Sequence, residues 1–531
     1  MKPHFALLLA SSLTLIACKP APSSLPANQP SAEPTEAPAV SAEQPQATAP
    51  EQEPQQASEA PVASPVNSLV LLNVAHQNFR QDTPWLKGQP WFSSGFAVAL
   101  GNGEFLTIAD VVDDATYIEL TVADSSVTAP VEVKVIDRDS NLALLSLKRP
   151  EDQALLSHLV PLTVGETPEL GAQLELWQFN NDGLPIVTPG VFQSTDSSDS
   201  FLQYHIQSAI NPITGAQTIP VLNQGKLVGI STGGDTAVQK VLALNTSVIA
   251  NFLKGTHSDK PFIGFPVCGL SSSELTDPVM REYLHLADSG NGVYVQEVLP
   301  LSAAEQAGLK QGDVLLSIDG HVIDSRGLVK DPRLGPVPAS YYIGDTKQIG
   351  ETIRLGVLRD GKEIEVNVAL NRDALDKDII DASPETNKVP PYVIYGGLTF
   401  QTLTPSLLNA LEGQGNRSRM TMELLDLQDK KEDYRKEGRD SLVILGMVLP
   451  TPATQGYEAC AFCAVKTVNG TVVKNLKHLS ELLKAPSDND IVVIEINKAP
   501  YKLYLSRTLC EQANRVIQQR VTPVLERLPQ A

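Results

Sequence analysis

A mainly β chain of about three domains, the first an all-β double barrel and all of them behind a disordered N-terminal tether, is predicted by three observations. Residues 19–66 are nearly all Pro, Ala, Ser, Glu, Gln and Thr, with too few large apolar side chains to build a core. Residues 67–258 break into many short alternating or apolar runs separated by turn residues, the rhythm of a double barrel. Roughly 460 residues of mixed, moderately apolar sequence follow the tether, enough for about three domains.

At the N-terminus, Lys2 supplies a positive region, Phe5 to Ile16 an apolar one, and Leu15-Ile16-Ala17-Cys18 a small-residue cleavage site, so residues 1–18 read as an export signal. The segment resembles a bacterial lipobox. That resemblance implies that Cys18 is lipidated and becomes the mature N-terminus, anchored to a membrane rather than spanning it. Lys19 stands where inner-membrane retention commonly uses Asp, which points to the outer membrane, facing the periplasm. The alternative is an ordinary signal peptide with a chance cysteine. The Pro-rich stretch 19–66 is then a semi-extended tether with reach. No other stretch is long and apolar enough to cross a bilayer.

The net charge is −20 and no basic run occurs, which excludes nucleic acid as a partner class and favours solubility. Four cysteines remain beyond Cys18: Cys268, Cys460, Cys463 and Cys510. Cys460 and Cys463 have C-x-x-C spacing, but no second Cys or His pair completes a zinc site. They read as buried strand cysteines or one disulfide, and neither a metal nor a cofactor is expected.

Within 67–258, the runs Ser68-Leu69-Val70-Leu71-Leu72, Ile118-Glu119-Leu120-Thr121-Val122 and Pro130-Val131-Glu132-Val133-Lys134-Val135-Ile136 are strands, Asn102-Gly103 is a turn, and Ser247 to Leu253 is a short closing helix. Three stretches carry the chemistry. One is Ser93-Ser94-Gly95-Phe96 followed by Phe105-Leu106-Thr107-Ile108-Ala109-Asp110-Val111-Val112. The next is Asp137-Arg138-Asp139-Ser140-Asn141-Leu142-Ala143-Leu144-Leu145. The last is Ile206-Gln207-Ser208-Ala209-Ile210-Asn211-Pro212, continuing to Pro220-Val221-Leu222-Asn223 and Leu227-Val228-Gly229-Ile230.

Together these resemble the trypsin-like domain of the HtrA/Deg serine proteases. The resemblance implies that Asp110 stands where the family keeps its general-base His, and Asn141 where it keeps the orienting Asp. The nucleophile turn is lost between Pro212 and Pro220: counting forward puts Gly215 at the nucleophile, counting back puts Gln217 there, and a one-residue shift offers Thr214, the candidate among these with a hydroxyl.

Such changes are expected to be fatal to acyl transfer. An alcohol attacks only after a neighbouring base takes its proton, and a carboxylate with a reference pKa of about 3.9 is a poor base near neutrality. Asn141 cannot stabilise an imidazolium that never forms. The β-branched Ile213 is ill suited to the sharp turn of an oxyanion hole. The histidines beyond the export signal, His76, His158, His205, His257, His285, His321 and His478, lie outside any setting that resembles a triad, and His205 is read as structural just before a strand. The first domain is therefore expected to be a protease fold without protease activity, and not an enzyme.

Residues 259–375 resemble a PDZ domain, an α+β fold, of the Deg type. Phe262-Ile263-Gly264-Phe265 matches its carboxylate-binding loop; Gly292 to Val295, Pro300 to Ala304, Ala307 to Lys310, Gly312 to Leu315 and Ile318 to Gly320 match the core. Backbone amides of such a loop bind a peptide's terminal carboxylate while a strand edge pairs with its backbone, and Met280 to Leu284 is a candidate pocket wall. The alternative is a groove closed by the protein's own chain. A linker, 376–388, leads to a diverged PDZ-like domain at 389–515, where Tyr395 to Phe400 resembles a second binding loop, and 516–531 form a tail. Glu423 to Asp440, rich in alternating charge, reads as a solvated helical insert. Val389 to Leu398, Gly456-Tyr457-Glu458 and Val468-Asn469-Gly470 resemble the Deg branch of plant organelles, which implies homo-oligomers built through the protease domains and a second PDZ used for assembly.

Three functions follow as expectations. The first is a lipid-tethered pseudoprotease whose first PDZ domain captures C-terminal or unfolded peptide segments of envelope proteins. The others are an endopeptidase using Thr214, and a regulatory subunit of an active relative.

Overall fold

The computed structural model describes residues 63–122, 127–180, 183–197, 200–211, 216–286, 290–380, 388–412, 419–486 and 489–529. The export signal with Cys18, nearly all of the tether, and Thr214 with its neighbours 212–215 lie outside the described residues.

The first barrel follows a one-turn helix α1 (Pro65–Ser68) and holds β1 (Leu69–His76), β2 (Trp91–Gly101), β3 (Glu104–Ile108), helix α2 (Ala109–Val112), β4 (Ala115–Val122), β5 (Thr128–Asp137) and β6 (Leu142–Leu147). Its strands run β1-β4-β5-β6-β3-β2, and pairing of β1 with β2 closes the circle. Asn102 and Gly103 both take positive φ, as the two-residue turn between β2 and β3 requires. The second barrel contains β7 (Gln173–Phe179), β8 (Pro185–Asp196), β9 (Gln203–Ser208), then, after the two-residue β10 (Ala216–Gln217), β11 (Pro220–Asn223), β12 (Lys226–Asp235) and β13 (Lys240–Leu244). It closes in the order β11-β12-β13-β9-β8-β7, while β10 leaves it to pair in parallel with β2 of the first barrel. Helix α3 (Thr246–Thr256) ends the double barrel, its first turn capped by the Asn245 side chain, which accepts from Ser247 N–H and Val248 N–H. Leu142 to Leu145 are wholly buried, and since successive strand residues point to opposite faces, both faces of β6 are covered.

Residues of the first PDZ domain form an antiparallel sheet in the order Leu270–Ser273, Val293–Val298, Val314–Ile318, Thr352–Arg359, Lys362–Ala369, with a side hairpin Leu328–Asp331/Gly335–Pro338. It docks on the second barrel. The Phe265 ring meets Phe201 edge-on at 4.9 Å and Phe262 meets Phe252 of α3 at 5.2 Å. Asp345 Oδ2 accepts from Leu202 N–H at 2.9 Å and from Asn245 Nδ2 at 2.6 Å, and Asn251 Nδ2 donates to the Asp345 carbonyl at 2.7 Å.

The second PDZ domain is a sheet ordered Lys502–Ser506, Ile491–Ile496, Cys463–Val468, Val443–Val448, Leu398–Thr402, Tyr392–Tyr395, Glu526–Arg527. Two readings change here. Tyr395 to Phe400 is not an open binding loop: Gly396 and Gly397, at φ +64° and +113°, turn a tight hairpin in which Tyr392–Tyr395 pairs along Leu398–Thr402 and covers its edge. The charged insert is helical, Arg419–Asp429 and Lys431–Lys436, but it is not merely solvated, since Leu424 and Leu427 are buried with Leu403, Leu407 and Leu442 in a small core of their own. Cys268, Cys460, Cys463 and Cys510 are buried and form no disulfide among the described residues, and Cys463 alone of these four lies on a strand.

Candidate functional site

Asp110 is the second residue of the short α2 directly after β3, and Asn141 ends the tight turn between β5 and β6, so the antiparallel pair β3–β6 brings them together. Asn141 sits at φ +55°, a conformation Asn tolerates better than most side chains. Asp110 N–H donates to Asn141 Oδ1 at 2.9 Å and Asn141 Nδ2 donates to Asp110 Oδ2 at 2.9 Å, while Ala109 N–H is held by the Asn141 carbonyl at 3.0 Å. The amide and the carboxylate therefore satisfy each other at the junction of β3 and β6. The turn beneath is rigid: Asp137 Oδ2 accepts from both the N–H and the hydroxyl of Ser140, at 3.0 and 2.5 Å, and burial pushes the Asp137 carboxyl up.

A cleft of about 290 Å³ opens beside Asp110, lined by Ile108, Ile210, Thr218, Ser231, Thr232 and Lys240 among others. Thr218, at φ +74° and buried, shares a 3.2 Å hydrogen bond with the Thr107 hydroxyl. Gln217 belongs to β10, its backbone facing Gly95 of β2. Asp110, Asn141 and the cleft are thus assembled; Thr214 is outside the described residues.

Among the histidines, His76 makes a contact that its sequence neighbours did not signal. Its Nε2 lies 2.7 Å from the Ser93 hydroxyl and its Nδ1 2.8 Å from the Asp113 carbonyl. The ring is wholly buried and stacked on Trp91 at 3.8 Å, and burial lowers its pKa, so it serves as a tie between β1 and β2. His205 lies within β9 rather than before it, 3.2 Å from the Ser194 hydroxyl, its pKa lowered by burial and by Lys240.

In the first PDZ domain, Ile263 is 58% exposed whereas Phe265 is buried against the second barrel. Gly264 takes φ +100° under the Arg372 guanidinium: a Cβ there would stand 1.9 Å from Arg372 Nη1. Arg372, a residue the sequence did not single out, donates from Nε to Asp376 at 2.7 Å, from Nη2 to Asp139 at 3.2 Å and from Nη1 to the Phe265 carbonyl at 3.5 Å. It lies 107 residues beyond Phe265, and only the return of the last strand of the sheet brings it to the loop. Met280 and Leu284 turn inward onto Leu275, Val314 and Leu358, leaving Val279 and Tyr283 of the same helix outside.

Comparison with known proteins agrees with this architecture. PDZ domain families match residues 266–370 and 382–522. Protease Do-like 2, chloroplastic, of Arabidopsis thaliana is 28% identical over 444 residues, covering 81% of this chain and 70% of that protein. The periplasmic serine endoprotease DegP of Escherichia coli (strain K12) is 25% identical over 304 residues, 56% of this chain and 60% of its own length. A solved structure of the HtrA-type protease AlgW with decapeptide superposes with a TM-score of 0.43 at 20% identity, covering 58% of this chain and 95% of that one. With a double barrel followed by two PDZ domains, this chain is a homologue of the Deg/HtrA proteases.

Proposed function

We propose that this homologue is a pseudoprotease of the cell envelope, lipid-anchored through Cys18 at the outer membrane, which captures C-terminal or unfolded peptide segments through its first PDZ domain and serves as scaffold, holdase or regulator in envelope protein quality control. The observation that carries the reading is the reciprocal pair Asp110–Asn141: the two side chains bond each other where the resemblance places the base and its orienter. Activating a serine or threonine hydroxyl needs a base poised near neutral pH, and removing members of a triad costs on the order of a millionfold in rate. The binding half of the proposal rests on the PDZ match at residues 266–370 and on the exposed Ile263 in the loop 262–265. A position in the envelope is supported by the signal-like residues 1–18 and by likeness to a periplasmic endoprotease.

Casein degradation by the body from Asn67 onward, compared with its Thr214→Ala variant and an active HtrA-type protease, tests the catalytic half. No cleavage by either form is the expected result. Cleavage lost in Thr214→Ala would make the chain an endopeptidase instead, and co-purification with a catalytic relative from native envelope would make it a regulatory subunit. For the binding half, Gly264→Val is expected to abolish peptide capture, because the new Cβ displaces Arg372 and strains a left-handed backbone.

A further inference from the structure

Cys460 and Cys463 bracket a turn that serves two cores at once. It leads from the short 3-10 helix Glu458–Cys460 into the strand Cys463–Val468, with Ala461 at φ −59° and ψ 154° and Phe462 at φ +61°. A left-handed backbone is uncommon for an aromatic residue and persists only where the surroundings hold it. Here Phe462 N–H donates to the Leu445 carbonyl at 2.5 Å, and the Phe462 ring packs against the core of the charged insert that holds Leu424 and Leu427. Cys460 and Cys463 belong instead to the main core of the second PDZ domain, with Leu445 and Val465. The Cys463 thiol donates to the Cys460 carbonyl at 3.0 Å, so the second sulfur already lies over the first cysteine's backbone, within reach of a rotation of the Cys460 side chain. A disulfide across so short a loop constrains the unfolded chain little, which suits a reversible bond better than a structural staple.

We propose that Cys460 and Cys463 are a redox pair that forms a reversible disulfide, and that closing it loosens the insert helices Arg419–Asp429 and Lys431–Lys436 from the second PDZ domain. The oxidant is itself a disulfide, carried by a small thiol compound or by another protein. The Cys460 thiolate attacks one of its sulfurs, forming a mixed disulfide and expelling a thiolate; the Cys463 thiolate then attacks the Cys460 sulfur, closes the 460–463 bond and expels the second. The two cysteines give up two protons and two electrons, and the oxidant leaves as two thiols. Burial pushes the Cys460 thiol up, against the opposing pull of Lys498, so exchange is slow in the folded chain and quickens as the turn opens. To close the bond, the Cys463 sulfur leaves the Cys460 carbonyl and the turn tightens, which draws Phe462 away from the insert core. An oxidising compartment, which the proposed export supplies, favours the disulfide; the exchange chemistry does not depend on that reading.

The test equilibrates the full chain in detergent with oxidised or reduced glutathione, in buffer and in urea below the unfolding transition. Samples are quenched in acid, unfolded, alkylated and mapped by mass spectrometry. After oxidised glutathione, the peptide holding Cys460 and Cys463 is expected to be unalkylated and lighter by two hydrogens, with faster conversion in urea. After reduced glutathione it is expected to take two alkyl groups, while Cys268 and Cys510 are alkylated throughout. Brief trypsin digestion of the folded samples, once glutathione is removed, should cut after Lys430 and Lys431 several-fold faster in the oxidised form. The double variant Cys460→Ala with Cys463→Ala should be cut at one rate after either treatment. Both thiols alkylated after oxidised glutathione in both solvents overturns the proposal, as does a bond from either cysteine to Cys268 or Cys510. A 460–463 bond that leaves cleavage unchanged, or a cleavage difference that survives in the double variant, overturns it equally. The mass map and cleavage of the wild type decide the matter even if the variant is unstable.

Discussion

Asp110 and Asn141 hold each other where the end of β3 meets the start of β6. The strand pairing aims a carboxylate at an amide, and two 2.9 Å hydrogen bonds close the arrangement. Both bonds lie at an exposed site, where each contributes modestly. Asp110→Ala is accordingly expected to lower the unfolding free energy by only about 1 kcal/mol in urea titration and to leave casein turnover at background; a large fall in measured cleavage would mark Asp110 as catalytic. The motif comparison places both residues in one site because they sit at fixed offsets from legible strands. It offers no hint of Arg372, whose partners Asp139 and Phe265 are distant in the chain.

Among the elements, the segments of the second PDZ domain depart most from their sequence reading. Gly396-Gly397 suits a carboxylate loop and a hairpin turn equally, because both need positive φ. What selects the hairpin is the register Tyr392↔Gln401 to Tyr395↔Leu398 and the C-terminal pair Glu526–Arg527, which adds a further strand beyond it. The charged insert departs for a similar reason. Its dense charge masks Leu424 and Leu427, whose burial needs the partners Leu403, Leu407 and Leu442 from elsewhere in the chain. Leu424→Ala is expected to cost about 2–4 kcal/mol in thermal or denaturant unfolding, as for other fully buried leucines; a change within about 0.5 kcal/mol would return the insert to the status of a solvated face.

For the whole molecule, the seam between the second barrel and the first PDZ domain turns on Asp345. Burial pushes its carboxyl up to about 7 from 3.8, against the opposing pull of its bonds from Asn245 and Leu202. A carboxyl whose folded pKa lies above its unfolded one stabilises the folded state fully below the unfolded value, and that contribution is lost as pH rises through the folded one. Between pH of about 4 and about 7 the docked arrangement therefore weakens as pH rises. Melting of the body from Asn67 onward at pH 5 and pH 8 should show higher stability at pH 5, with a smaller difference in Asp345→Asn, which keeps the shape and removes the titration. An unchanged difference in the variant would assign the effect to the net charge of −20 instead.

From the sequence alone came the double barrel, the two later domains, the turn at Asn102-Gly103 and the helix that closes the barrels. These follow from local periodicity, turn chemistry and short-range spacing, which a linear string records. The tertiary structure decided that Asp110 and Asn141 bond each other, that His76 is a buried tie to Ser93, that Gly396-Gly397 turns a hairpin, and that Arg372 joins the 262–265 loop to Asp139. Each depends on residues brought together by sheet closure or domain docking, and the identity of a long-range partner is set by packing rather than by any pattern in its own segment.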